Sequence, residues 1–315
     1  MTSASSKSDN IYEGREPTQH EIARVSTQRK IGLYREIVSK FYESKNAERR
    51  GAVKPEPLNF ETLKKFFLFK FEELEKDLYF REATGFKCVE QKAIRGAWGS
   101  DPESFFFMKL RIHDLWPIQQ NIEYYDESKL FSVIEFLYDY ASEPKRKWYH
   151  KWNGCGWHGE DYDEASGKAR YREEMNSILK NYESGYELSA TGEILKITPT
   201  GLESISEEVV ITGDSKNIDD RIHGAITKYR RYNATLDDKK DAVRTLADIL
   251  EYLKKEGVTL PAKDDSDLFN IINNFDMRHH NREQQGGYDK DAWYDWMFYT
   301  FLSSINVLLK LRKPK

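Results

Sequence analysis

The sequence predicts a mainly α protein with a mixed helical N-terminal domain that carries a small β-hairpin and a C-terminal four-helix bundle. Apolar residues recur with a helical period along much of the 315-residue chain. Four such segments follow one another between Ile218 and Leu311. Near residues 185–198, apolar and polar residues alternate on both sides of a Thr-Gly turn, as is typical of a β-hairpin.

Composition limits the class of protein. A hydrophobic fraction of 39% is low, but 7 Trp, 19 Tyr and 17 Phe supply enough apolar surface for a core. The net charge of −4 argues against a general nucleic-acid coat and leaves room for a local basic patch. Two cysteines exclude a disulfide scaffold and favour a reducing cytoplasm. We expect a cytoplasmic protein with no membrane partner, because no long apolar run or secretory leader is present.

The N-terminal domain is predicted to span residues 18–198, after a flexible Ser-rich tail at 1–17. Its apolar stripes predict helices at about 21–43, 59–79, 127–142 and 165–182. Asn59 or Thr62 is the expected cap of the second helix. Within residues 85–110, a Gly/Ser/Asp/Pro turn precedes an apolar run that fits either a short strand or the start of a buried helix. Residues 145–163 indicate an aromatic loop that contains His and Cys.

The C-terminal domain is predicted at 217–315, after a linker at 199–216 that is rich in Thr, Ser, Gly and Glu. Its helices are expected at Ile218–Tyr232, Asp237–Glu256, Asp265–His280 and Asp291–Leu311. Asp237 is a candidate N-cap, and Gly257 is the expected stop of the same helix. Short connections favour antiparallel neighbours and therefore a four-helix bundle.

One polar cluster lies at the end of the third bundle helix and is the candidate catalytic site: Asn274, Arg278, His279, His280 and Asn281. A permanent guanidinium charge beside an imidazole that titrates near neutrality suits phosphodiester chemistry. The simpler alternative is that these cations satisfy the last carbonyls and the dipole of the helix.

A second cluster combines His150, Cys155 and His158 with two acidic residues, Asp161 and Asp163. All are residue types that ligate zinc, and the Cys-x2-His spacing is ligand-like. Because this segment has a single cysteine among many aromatic residues, we favour a packed loop, and we predict no metal and no cofactor.

A third pattern interleaves cations with aromatic rings: Lys145, Arg146, Lys147 and Trp148. Single-stranded nucleic acids are bound by such combinations, because charges meet phosphates and rings meet bases. We assign the same role to Arg282. The alternative is a solvated charged face, and Lys228, Arg230 and Arg231 form a lesser basic patch with the same ambiguity.

Signatures of several common enzymes are missing from the sequence. It has no phosphate-binding GKS/T loop, no dinucleotide-binding glycine motif, no HExxH and no GxSxG. This argues against the usual nucleotide hydrolases, Rossmann oxidoreductases, zincin proteases and α/β-hydrolases.

Several segments together resemble a known family. The stretches YDESKLFSVIEFLYDY, CGWH, ARYREEMNSILKNY and GYELSATGEI resemble N-terminal regions of bacterial abortive-infection proteins of the AbiJ type. The helical pattern with Arg278 followed by His279 resembles a HEPN domain (higher eukaryotes and prokaryotes nucleotide-binding), which such proteins often carry at the C-terminus. The resemblance covers most of residues 115–315.

The resemblance implies an antiviral defence or stress-response protein that binds or cleaves RNA without metal, as a homodimer formed through the bundle. In HEPN ribonucleases, an Arg and a polar residue are followed some residues later by a His. Here the last His is His280. Two alternatives therefore stay open: a metal-independent endoribonuclease with altered spacing of Arg278, His279 and His280, or a non-enzymatic interaction or dimerisation module with a degenerate HEPN-like fold.

Overall fold

Helices dominate the computed structural model of this chain, and short antiparallel strand pairs are inserted between them. The structure describes residues 56–88, 92–202, 205, 211–274 and 288–312. The predicted mainly α class is confirmed at this level. The predicted tail at 1–17 and the helix at 21–43 lie outside the described residues.

The elements of the first part of the described chain alternate between helices and two-stranded sheets. They are α1 (Phe60–Lys76), α2 (Arg81–Thr84), β1 (Gly85–Cys88), β2 (Lys92–Arg95), α3 (Pro102–Leu110), α4 (Ile118–Asn121), α5 (Glu127–Tyr138), β3 (Glu143–His150), β4 (Gly156–Asp163), α6 (Glu164–Leu179), β5 (Tyr186–Leu188) and β6 (Ile194–Lys196). Each strand pairs antiparallel with its sequence neighbour, β1 with β2, β3 with β4 and β5 with β6.

The second part of the described chain is helical. After a π-helical turn at Ser215–Asp219 come α7 (Asp220–Arg230), α8 (Leu236–Lys255), α9 (Ala262–Asn274) and α10 (Lys290–Leu311). None of the helices described here has the length and apolar composition that a bilayer crossing requires.

Side-chain caps fix where several helices begin. The Asn59 side chain accepts a hydrogen bond from the Thr62 backbone N–H at 2.9 Å, as predicted for α1. Asp101 caps α3 in the same way through the Ser104 N–H at 3.1 Å. The Asp101 cap decides between the strand and the helix that the sequence allowed for the apolar run within 85–110. The apolar run after Asp101 is a helix, and the residues before it form the β1–β2 hairpin.

The predicted aromatic loop at 145–163 is wrong, because β3 and β4, each of 8 residues, form an antiparallel hairpin there. Charged and aromatic residues occupy both faces of these strands, so the alternation that reveals a strand in sequence is hidden. The predicted β-hairpin near 185–198 is confirmed as β5 and β6.

The first core is aromatic and joins α1, α3, α5 and α6. Trp98, which is only 1% exposed, contacts the Phe106, Trp116 and Tyr140 rings edge-on, with centroid distances of 5.1, 5.2 and 5.7 Å. Such edge-to-face contacts match the electron-poor ring edge to the electron-rich face and add to the burial energy.

The second core is formed by α7, α8, α9 and α10. Tyr229 on α7 stacks on Phe298 of α10, with ring centroids 3.8 Å apart. Thr235 caps α8 and shares a capping box with Asp238, so the N-cap expected at Asp237 lies two residues earlier. In this capping box the Thr235 hydroxyl accepts a hydrogen bond from the Asp238 N–H, and the Asp238 carboxylate accepts one from the Thr235 N–H.

The two cores lie on either side of residues 199–216 and meet at β6. The Tyr232 N–H donates to the Ile194 carbonyl at 2.9 Å, and the Tyr232 ring packs 4.5 Å from that of Phe131. Both cores belong to the compact unit that begins at Pro57. The predicted domain boundaries stay a prediction.

Candidate functional site

The β3–β4 hairpin brings the second and third polar patterns of the sequence together. Trp148 lies opposite His158, and Tyr149 lies opposite Trp157. Since successive side chains of a strand point to opposite faces, Trp148 and the two histidines share one face, and Tyr149 and Trp157 share the other. Asp163 at the end of β4 caps α6 through the Ser166 N–H at 3.1 Å, which anchors the hairpin to the first core.

A cysteine and histidine cluster lies on the inner face of the hairpin. Cys88, His150, Cys155 and His158 each place a ligating atom within 4.8 Å of those of the other three. The Cys88 Sγ lies 3.6 Å from the His150 Nδ1. Cys88 comes from the end of β1, so the cluster joins two hairpins. These four residues provide the donor set of a tetrahedral metal site.

His158 is the most deeply buried member of this cluster. The residue is 1% exposed, and its ring lies 4.7 Å from that of Phe86 and 4.5 Å from that of Trp148. Neither ring nitrogen has a hydrogen-bond partner among the described residues. Burial lowers the pKa of His158, and the neighbouring His150 lowers it further. A lowered pKa favours the neutral imidazole, the form that ligates metals.

Two glycines place Cys155 at the hairpin tip. Gly154 and Gly156, on either side of it, have φ angles of 73° and 81°, a region that residues with a side chain rarely adopt. The backbone turns sharply at both points after the short helical turn at Trp152–Gly154. Cys155 thereby lies beside Cys88 and the two histidines.

The outer face and tip of the hairpin expose three large aromatic side chains. Tyr149 is 53% exposed, Trp157 is 54% exposed and Trp152 is 72% exposed. The Tyr149 and Trp157 rings pack edge-on, with their centroids 5.3 Å apart. Lys151 beside them is also exposed.

Three of the predicted nucleic-acid-binding cations, Lys145, Arg146 and Lys147, lie along β3, and each has an acidic partner. Lys145 contacts Glu143 and Asp163, at 2.9 and 3.0 Å. Hydrogen bonds from Lys145 and Ser166 lower the pKa of Asp163 to about 2. Lys145 is therefore balanced by carboxylates of both β3 and β4.

The remaining members of this pattern are paired as well. Arg146 contacts Asp161 at 2.7 Å, and Lys147 lies 3.6 Å from Asp77. The Trp148 indole N–H donates to Glu160 at 3.0 Å. Asp161, which the sequence made a candidate zinc ligand, is thus the partner of an arginine.

The candidate catalytic cluster falls mostly beyond what the structure describes. Asn274 is the last residue of α9. Arg278, His279, His280, Asn281 and Arg282 lie outside the described residues. Their assignment stays a prediction.

Sequence reasoning missed Cys88 as a partner of His150, Cys155 and His158. Cys88 and His150 are 62 positions apart, and no local motif connects them. The sequence offered one signal for this partner, the number of cysteines, since Cys88 and Cys155 are the 2 cysteines of the whole chain.

No protein-family model, curated protein or solved structure gave a significant match to this chain.

Proposed function

We propose that this protein binds RNA through the tip of the β3–β4 hairpin and acts in bacterial defence or stress response. The observation that carries the proposal is the exposed aromatic group Tyr149, Trp152 and Trp157 on a strand pair that also carries cations. Large exposed rings are costly to leave in water, and bases that stack on them remove that cost.

The charge pattern of the hairpin is compatible with a polyanionic ligand. The ion pairs of Arg146 and Lys147 are solvent-exposed. Exposed pairs contribute little free energy, about 0–1 kcal/mol, so a phosphate can replace an acidic partner at small cost. Lys151 adds an exposed charge beside Trp152.

Replacing Trp152 or Trp157 by Ala is expected to weaken binding of a single-stranded RNA by about 5-fold to 150-fold, because base stacking contributes about 1–3 kcal/mol per base. Fluorescence anisotropy of a labelled oligonucleotide measures the effect. Tyr124→Ala is the control, since this exposed ring lies outside the hairpin. Absence of binding by the wild type, or an equal loss in the control, would contradict the proposal.

The second part of the proposal concerns the helical second core, which we expect to act on the bound RNA. We infer that α7–α10 form a HEPN-like bundle, in which Arg278 and the adjacent histidines act on RNA. The 2′-hydroxyl oxygen would attack the neighbouring phosphorus and displace the 5′-oxygen of the next nucleotide. Arg278 would stabilise the charged transition state, and His279 or His280 would move the proton.

Arg278→Ala is expected to slow metal-independent RNA cleavage about 100-fold or more, because a charge that stabilises the transition state is removed. Cleavage is measured on gels in buffer without added divalent metal, and again with Mg²⁺. Arg244→Ala on α8 is the matched control. Undiminished cleavage by a variant with Ala at 278, 279 and 280 would exclude this site.

The alternative function is a non-enzymatic dimerisation or interaction module. It is favoured by exposed apolar side chains on one side of α10, in two pairs about one turn apart: Trp293 with Trp296, and Val307 with Leu311. Such exposed apolar groups suit a homodimer formed through the bundle. A chain that sediments as a dimer and neither binds nor cleaves RNA would support this alternative.

A further inference from the structure

We propose that Cys88, His150, Cys155 and His158 bind one Zn²⁺ ion in a closed, structural site that joins the β1–β2 and β3–β4 hairpins. The proposal does not depend on RNA binding or cleavage. From the sequence we expected a packed loop without metal, whereas the structure brings four metal-ligating side chains together there.

The distances within the cluster suit a tetrahedral ion. Zinc bonds of about 2.3 Å to sulfur and about 2.0–2.1 Å to nitrogen place a thiolate and an imidazole nitrogen about 3.5 Å apart. The Cys88 Sγ and His150 Nδ1 are 3.6 Å apart. All ligating atoms lie within 4.8 Å of one another, a spread that small side-chain rotations can reduce to tetrahedral distances.

The donor chemistry selects the metal. Two sulfur and two imidazole donors in a tetrahedral arrangement favour Zn²⁺ over Mg²⁺, Ca²⁺ or Mn²⁺, which prefer oxygen ligands. Both cysteines of a 315-residue chain reach this one place although they are distant in sequence. A chance meeting of two isolated structural cysteines beside two histidines is a poor explanation of that convergence.

The buried imidazole of His158 is an independent indication of a ligand. A buried polar nitrogen without a partner costs about 1–3 kcal/mol. Neither nitrogen of His158 has a hydrogen-bond partner among the described residues, although the ring is enclosed by Phe86 and Trp148. A metal bond to one of these nitrogens removes the cost at that nitrogen.

The number of protein ligands defines the role of the ion. Four side chains complete a tetrahedral shell and leave no open position for water or substrate, so the site is structural and not catalytic. The ion would crosslink β1 to the tip of the β3–β4 hairpin. It would thereby fix the strands that expose Tyr149, Trp152 and Trp157.

The direct test is the zinc content of the full-length wild type, purified without chelator and without a histidine tag. Inductively coupled plasma mass spectrometry is expected to give about one zinc ion per chain. Cys88→Ser, Cys155→Ser and His158→Gln are expected to lower the zinc affinity by more than about 100-fold, because losing even a residue that only supports a ligand costs 10–100-fold. His223→Gln, at an exposed position on α7, is the matched control and should keep full occupancy.

A second measurement uses the wild type alone, in case a variant fails to fold. Replacement of zinc by Co²⁺ is expected to give the visible absorption of a tetrahedral, thiolate-ligated ion. Wild-type protein that holds neither zinc nor Co²⁺ would overturn the proposal. A Cys88–Cys155 disulfide in protein kept under reducing conditions, or an equal zinc loss in His223→Gln, would overturn it too.

Discussion

Removal of Zn²⁺ from the wild-type chain is expected to lower its midpoint of thermal unfolding by about 5–10 °C. A ligand present at 100 times its Kd stabilises the folded state by about 2.7 kcal/mol. For a unit of this size, each kcal/mol corresponds to about 2–4 °C. The effect is large because the proposed crosslink joins Cys88 to residues more than 60 positions later, and no covalent bond replaces it.

Scanning calorimetry of metal-depleted and zinc-reloaded protein measures this shift. Reloading with Zn²⁺ should restore the original midpoint, and Mg²⁺ should not, because the donors are sulfur and nitrogen. His158→Gln should unfold at the lower temperature whether or not zinc is added. Hydrogen exchange should locate the loss of protection in β3 and β4. Equal midpoints with and without zinc would contradict a stabilising ion.

Elements whose signals are local can be predicted from the sequence. The helix α1 combines an apolar stripe, Leu63, Phe67 and Phe71, with a capping residue, Asn59, all within a few turns. The β5–β6 hairpin is similarly marked by alternation around a Thr-Gly turn. Each signal depends on neighbours in sequence, so no tertiary information is needed.

The candidate site could not be predicted because it exists only after tertiary contact. His150, Cys155 and His158 were recognisable as possible ligands, but three ligands do not close a structural zinc site. The fourth, Cys88, arrives through the packing of β1 against β4, where Phe86 contacts the His158 ring. No spacing rule within either hairpin encodes that contact.

The basic patch proposed at the end of α7 shows the same limit. The Lys228 side chain is 42% exposed and lies 3.1 Å from the Asp241 carboxylate, as in a surface ion pair. Arg230, two residues later, is only 7% exposed and contacts β5 and β6. Both are basic residues near the end of the same helix, so the sequence does not distinguish them. Only the tertiary packing does.

Arg230→Ala is expected to reduce the free energy of unfolding by about 3 kcal/mol, the lower end of the effect of breaking a buried ion pair. The Arg230 guanidinium donates to the Glu187 carboxylate at 2.7 Å and to the Lys196 carbonyl at 2.9 Å. Removing it leaves a largely buried carboxylate and a carbonyl without that donor, at the place where the two cores meet. Urea denaturation followed by circular dichroism measures the loss.

Lys228→Ala on the same helix is the matched control for this substitution. Its ion pair with Asp241 is solvent-exposed on both sides, so its removal should cost about 0–1 kcal/mol. Arg230→Lys should fall between the two, because an ammonium on a shorter side chain cannot reproduce the planar guanidinium fork that reaches both acceptors. If Arg230→Ala cost no more than Lys228→Ala, the junction between the cores would not depend on this ion pair, and the contacts of Tyr232 with Ile194 and Phe131 would have to hold it.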